Sequence, residues 1–183
     1  MEVPERLGSR VVYEGRVLTM RVDQIRLPNG ATAVREVVDH RGAVVVAALD
    51  AEDRLVLVKQ YRYAIDRDLV EFAAGVLEVG EDPAEAAVRE LREEAGISAG
   101  TWDRLGSFFS SPGFVHEELH AYLARDLQNV PRDLDFDEDI DLEWIPMQSL
   151  LNRPEQITDA KTLATLLLVE RFLEREKRTG QWT

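Results

Sequence analysis

From Ala43 to Leu49 every side chain is apolar, with Gly42 before the run and Asp50 after it. A strand that shows one face to water alternates polar and apolar residues, so a run without alternation suits a strand buried on both faces. The run is far too short to cross a bilayer, which takes about 20 apolar residues in a helix. The chain must therefore build a sheet around this strand. Asp50 to Arg54 is a polar turn, and Leu55 to Lys59 reads as the antiparallel partner.

Before this run, the segment from Arg10 to Leu27 is rich in apolar residues, and Leu18, Met20 and Val22 alternate with Thr19, Arg21 and Asp23 as in a half-buried strand. Pro28-Asn29-Gly30 is a turn signal and Val34 to Val38 reads as the returning strand, which predicts a hairpin or small sheet. Phe108-Phe109 and Leu119 to Leu123 read as further strands around the turn Ser111-Pro112-Gly113, and Asp133 to Asp141 as an acidic loop. Asp159 is the candidate N-cap of a last helix running to about Arg178. The fold class is α+β. A length of 183 residues fits one domain plus a small appendage, divided into an N-terminal β segment, residues 1–41, and a main domain, residues 42–183.

Composition excludes several classes of function. The chain has no cysteine, so it has neither disulfides nor cysteine-ligated zinc, and a cytoplasmic location is expected. The first residues carry charges and no apolar core, so no signal peptide is expected, and no segment suits a membrane span. A formal net charge of −13 is wrong for a nucleic-acid backbone, which needs a basic surface. It conflicts equally with a phosphorylated substrate, unless divalent cations stand between carboxylates and phosphates.

The densest helix signals run from Asp82 to Ala95. Asp82 is a plausible N-cap, Pro83 suits the first helical position, Glu85 has capping-box spacing, and Gly96 suits the stop. Ala84, Ala87, Val88, Leu91 and Ala95 form an apolar stripe expected to pack on the sheet, with Ala86, Glu90, Glu93 and Glu94 on another face. Glu90 and Glu94 lie one turn apart, a repulsive spacing for like charges that a hard cation relieves. Arg89, four residues before Glu93, is placed to share that repulsion. A bare Glu-Leu-Arg-Glu-Glu string is common on solvated helix faces. Here Gly75 permits a tight backbone turn before the helix, and the Ala74 carbonyl is a further candidate oxygen ligand.

Gly75, Glu81, Arg89-Glu90-Leu91, Glu93-Glu94 and Gly96-Ile97 match the Nudix box without a departure, so the chain resembles the Nudix hydrolase superfamily. The resemblance implies a Nudix fold: a mixed β-sheet sandwiched between helices. It implies Mg²⁺, with Mn²⁺ as a substitute, bound by Glu90 and Glu94, with Glu93 as ligand or helper and Arg89 orienting the carboxylates. Glu81 is implied to support the loop or a second metal shell.

Over nearly its full length the chain is also similar to the ADP-ribose pyrophosphatase branch. The marker is Pro112, fifteen residues after Ile97, and supporting strings are Leu27-Pro28-Asn29-Gly30, Arg35 to His40, Lys59-Gln60-Tyr61-Arg62 and Asp159-Ala160-Lys161-Thr162. This resemblance implies that Arg62 contacts a substrate phosphate, Glu117 the terminal ribose and Arg35 the adenosine part. It further implies a homodimer that exchanges the N-terminal segment. Two departures stand out: Ala73 replaces a usual proline before Ala74-Gly75, and Phe136 replaces a usual glutamate in the acidic loop. The general base and extra metal ligand is Glu138 first, with Asp137, Asp139 and Glu93 as alternatives. The expected activity is hydrolysis of the pyrophosphate bond of a small-molecule nucleotide sugar, ADP-ribose foremost. GDP-mannose, FAD or NADH are alternative substrates, and a non-catalytic ADP-ribose-binding regulator is the alternative of a different class.

Overall fold

The computed structural model describes residues 2–134 and 139–180. The described chain divides into two compact units, residues 1–42 with 109–118, and residues 43–108 with 119–183. The first unit is a four-stranded sheet of β1 (Glu5–Glu14), β2 (Leu18–Arg26), β3 (Thr32–His40) and the short β9 (Val115–His116), in that order. β1, β2 and β3 run as an antiparallel meander, with Leu18 opposite His40 and Arg26 opposite Thr32 across the second pair. The apolar segment from Arg10 to Leu27 is thus two strands, divided at Gly15, rather than one. β9 joins β3 in parallel, Val38 opposite Val115.

The second unit carries β4 (Ala43–Leu49) at the centre of a seven-stranded mixed sheet. Its main path is β11 (Ile140–Pro146), β5 (Arg54–Arg62), β4, β10 (Glu118–Asn129) and β8 (Ile97–Phe109). β6 (Arg67–Glu71) pairs with β5, and β7 (Ala73–Val76) with β4. β10 lies parallel to β4, and β5 and β7 antiparallel. Every residue of β4 is buried. Its side chains divide by parity. Val44, Val46 and Ala48 join a core with Ala87, Leu91 and Ala95 of α1 (Pro83–Ala95). Val45, Ala47 and Leu49 join another with Leu166 and Val169 of α3 (Ala160–Thr179). That is the physical reason for the missing alternation: successive side chains point to opposite faces, and a helix covers each.

The acidic loop is shorter than its sequence suggests, because β11 begins at Ile140 and pairs Asp141 with Lys59. A short helix, α2 (Met147–Asn152), follows β11 and carries no sequence signal strong enough to predict it. Arg132 ties this region to the helix before it: Nε donates to the Glu94 carbonyl at 2.7 Å and Nη2 to the Ile140 carbonyl at 3.0 Å. Among the described residues no helix is long and apolar enough to cross a membrane.

The helix caps are those the sequence predicts. Asp82 accepts from the Ala84 N–H at 2.8 Å, and Gly96 takes a left-handed conformation with φ of 64°. A Cβ at Gly96 would also stand 2.9 Å from the Val130 carbonyl, so no other residue fits there without displacement. Asp159 accepts from both the amide and the hydroxyl of Thr162, at 2.9 and 2.6 Å. Replacing Asp82 with Ala removes one such bond at an exposed helix end. Its unfolding free energy should fall by about 1 kcal/mol, read as a lower urea midpoint with an unchanged slope.

Candidate active site

The buried side chains of α1 are Ala86, Ala87, Glu90, Leu91, Glu94 and Ala95. This corrects the stripe read from apolar residues alone: Val88 is 47% exposed, Ala84 is exposed, and the two glutamates lie within the packed face. Glycine at position 75 is what permits it. A Cβ there would overlap the Glu90 carboxylate. β7 is thus close enough to the helix for the Ala74 N–H to donate to Glu94 Oε2 at 2.9 Å. Burying a carboxylate without such partners costs several kcal/mol, on the order of what a whole domain has to spare.

Arg89 organises the remaining acids. Its Nε and Nη2 meet the two oxygens of Glu81 at 2.8 and 2.9 Å, and Nη1 donates to Glu90 at 2.6 Å and Glu93 at 3.0 Å. The two-pronged bond to Glu81 is the strongest geometry available to a guanidinium. It holds the Glu81 carboxyl below its usual range, against the opposing effect of burial. Hydrogen bonding to Glu81 foremost, then the charge of Glu90, raises the Arg89 value further above an already high one, so Arg89 stays charged. Glu81 also accepts from the Glu78 N–H at 2.8 Å, which fixes the turn before the helix.

Three carboxylates on one guanidinium, with Glu94 as a fourth on the same helix, leave a negative excess built from hard oxygen donors. This is the chemistry that Mg²⁺ and similar ions select. Among the described residues no three acidic or imidazole side chains are gathered as a cage, whereas Mg²⁺ needs only one or two carboxylates beside its waters. The residues therefore fit a divalent cation, with Glu90 and Glu94 innermost.

Arg62, at the end of β5, reaches Glu71 of β6 through Nε at 2.7 Å and Nη2 at 2.5 Å. The other three predicted contacts belong to the first unit. Arg35 is exposed on β3, its Nη1 on the Val34 carbonyl. Pro112 is exposed in the turn closed by the Phe114 N–H on the Ser111 carbonyl. Glu117 lies half-buried, 3.5 Å from His40 Nδ1, which already accepts from the Gly42 N–H. Glu138, with Asp137, lies outside the described residues, and Asp139 is exposed just before β11.

Sequence reasoning passed over Glu71 and the part Lys161 plays beside it. Glu71 is 2% exposed and accepts from Lys161 Nζ at 2.7 Å. The available signal was a lone charge between Val70 and Phe72 in an otherwise apolar stretch.

Comparison with known proteins shows the family to which the chain belongs. Residues 39–166 match the model of the NUDIX domain, and residues 5–38 that of the nucleoside diphosphate sugar hydrolase N-terminal domain. The chain belongs to the Nudix family and is a Nudix hydrolase, a class that generally uses divalent metal ions. It is 39% identical to an ADP-ribose pyrophosphatase of Bacillus subtilis (strain 168), over 85% of this chain and 86% of that one. It is 42% identical to a methanol dehydrogenase activator of Bacillus methanolicus, over 86% and 87%. A crystal structure of an ADP compounds hydrolase superposes with a TM-score of 0.85 at 26% identity, covering 97% of this chain and 98% of that chain.

The depressed Glu81 value has a definite sign. A carboxylate whose folded value lies below its unfolded one stabilises the fold above the unfolded value and loses that contribution as pH falls through the folded value. The stability deficit of Glu81→Gln should thus be full near neutral pH and shrink below pH 4.5, the ordinary value for this group. Urea unfolding of both proteins at several pH values measures it; a deficit independent of pH contradicts the assignment.

Proposed function

We propose that this chain hydrolyses the pyrophosphate bond of a nucleoside diphosphate sugar, and that its substrate is ADP-ribose, cut with water to AMP and ribose 5-phosphate. The observation that carries the reading is the buried pair Glu90 and Glu94 beneath Gly75, with Arg89 holding the surrounding acids. The similarity to an ADP-ribose pyrophosphatase supports the choice of substrate. Mg²⁺, replaceable by Mn²⁺, is the proposed ion: when bound it neutralises the pyrophosphate and lowers the pKa of a bound water. Glu90 and Glu94 hold it, Arg89 orients Glu90 and its neighbouring carboxylates, and the Ala74 carbonyl adds a neutral oxygen. Arg62 binds a phosphate, Glu117 the terminal ribose, Arg35 the adenosine part, and Pro112 shapes the substrate loop. Glu138 accepts the proton of the attacking water. Glu93, more exposed than Glu90, is an alternative base alongside Asp137 and Asp139, and a further ligand.

The name of the Bacillus methanolicus relative favours a second reading, in which the chain binds a nucleotide and regulates a partner enzyme. Initial rates with Mg²⁺ on ADP-ribose, NADH, FAD and GDP-mannose decide between them. ADP-ribose should rank first, and Glu94→Gln should cut turnover by about 10² or more while circular dichroism stays unchanged. No turnover on any of the four, with ADP-ribose still bound, selects the regulator.

The first unit supports a homodimer. All of β1 is exposed, including Val11 at 55% and Tyr13 at 58%, and β2 is covered only in part. Apolar side chains spread along an uncovered sheet mark a contact surface. In the proposed arrangement this sheet meets a second copy of the chain and is exchanged with it. Light scattering should give the mass of two chains, and Val11→Glu with Tyr13→Glu should shift it toward one. Wild-type protein at the mass of one chain rules the dimer out.

A further inference from the structure

Glu71 is a buried charge outside the box, and its surroundings bear on the phosphate contact expected of Arg62. Its two oxygens serve two cations separately. Oε2 accepts from Arg62 Nε and Nη2, at 2.7 and 2.5 Å, and Oε1 from Lys161 Nζ at 2.7 Å. Lys161 stands 3.1 Å from Asp159, which also caps α3 through Thr162. The Thr162 hydroxyl in turn accepts from the Phe72 N–H at 3.0 Å. Glu71 and its neighbour are thus pinned to the first turn of α3 by two bonds between residues 90 apart in sequence.

A carboxylate this buried tolerates little movement, because each oxygen has its own donor and losing either leaves a buried acceptor unpaired. Arg62, by contrast, is 36% exposed, and among the described residues its Nη1 meets no acceptor. One side of the guanidinium is fixed and the other is left to donate outward. Lys161 is itself paired with Asp159, so the four groups balance and the clamp fixes the direction of the Arg62 charge without adding to it.

The backbone sets where this charge stands. Glu71 and Ala74 lie on one nearly continuous strand segment, and Ala74 donates to Glu94. Three extended residues span about 10 Å at roughly 3.3 Å each. A cation held at one end of that span and a carboxylate pair at the other is an arrangement suited to a diphosphate lying between them.

We propose that Glu71 is a positioning residue that holds Arg62, braced through Lys161 against α3, so that its free Nη1 donates to a phosphate of the substrate. The proposal rests on the phosphate-binding reading of Arg62, and the test separates the two. Initial rates on ADP-ribose with Mg²⁺ are compared for wild type, Glu71→Gln, Glu71→Asp, Arg62→Met and the double variant Arg62→Met with Glu71→Gln. The same proteins are titrated calorimetrically with ADP and Mg²⁺, so the clamp is tested even where ADP-ribose is not cut. Thermal melts confirm that each is folded; Glu71→Asp keeps the charge and serves where Glu71→Gln does not fold.

Glu71→Gln should raise KM, and weaken ADP binding, about tenfold, with kcat within about threefold. Glu71→Asp should recover part of the loss. The double variant should be no worse than Arg62→Met alone, because a residue acting through Arg62 has nothing to act on once it is gone. Multiplying effects in the double variant, or a Glu71→Gln enzyme equal to wild type, overturn the positioning role and leave Arg62 as a phosphate contact. An Arg62→Met enzyme with unchanged KM and unchanged ADP affinity overturns that contact and the proposal with it.

Discussion

Glu90 and Glu94 are polar side chains buried in the face that covers a hydrophobic core, and much of the second unit follows from reconciling burial with polarity. A helix face meets that demand only if something nearby neutralises it and something else makes room. Arg89 does the first from the neighbouring position on the helix, collecting Glu81, Glu90 and Glu93 on one guanidinium. Gly75 does the second by having no side chain where Glu90 lies. The Ala74 amide also donates to Glu94. The loop before the helix, the helix itself and β7 are thereby fixed to one another by charge rather than by apolar contact alone.

Much of this was legible from sequence because its signals are local. Asp82, Pro83 and Gly96 mark the helix ends by chemistry confined to one turn, and Asp159 does the same for α3. The unbroken apolar run of β4 required cover on two sides, and two helices supply it. The division of the N-terminal strands at Gly15 was hidden because both halves carry apolar residues although β1 is exposed and β2 only partly covered, so residue type does not mark the turn.

The site itself was legible in identity and less so in orientation. A hydrophobic stripe drawn from residue types places every glutamate on the water side, and cannot anticipate that Val88 is exposed while Glu94 is 4% exposed. The missing term is the partner: Ala74 is 20 residues from Glu94, and Gly75 matters by an absent atom. Glu71 is a stronger case: its one local signal is a lone charge in an apolar stretch, and its significance comes from Lys161, 90 residues later. Arg132 belongs with these, since its two acceptors are main-chain carbonyls and carry no residue identity.

The strand segment from Arg67 to Val76 bears Glu71, Ala74 and Gly75 within five residues, one contact for the Arg62 clamp and two for the glutamates. Its length is metered by peptide units, not by rotamers, so it works as a ruler. Side chains at the two ends can be exchanged without altering the gap between them, whereas one inserted or deleted residue would both change the gap and turn every following side chain to the opposite face. Under the proposed reading, a calibration of that kind is indifferent to what hangs from either end of a diphosphate. It leaves the choice of nucleoside and sugar to other parts of the chain, which can diverge while the spacing stays constant.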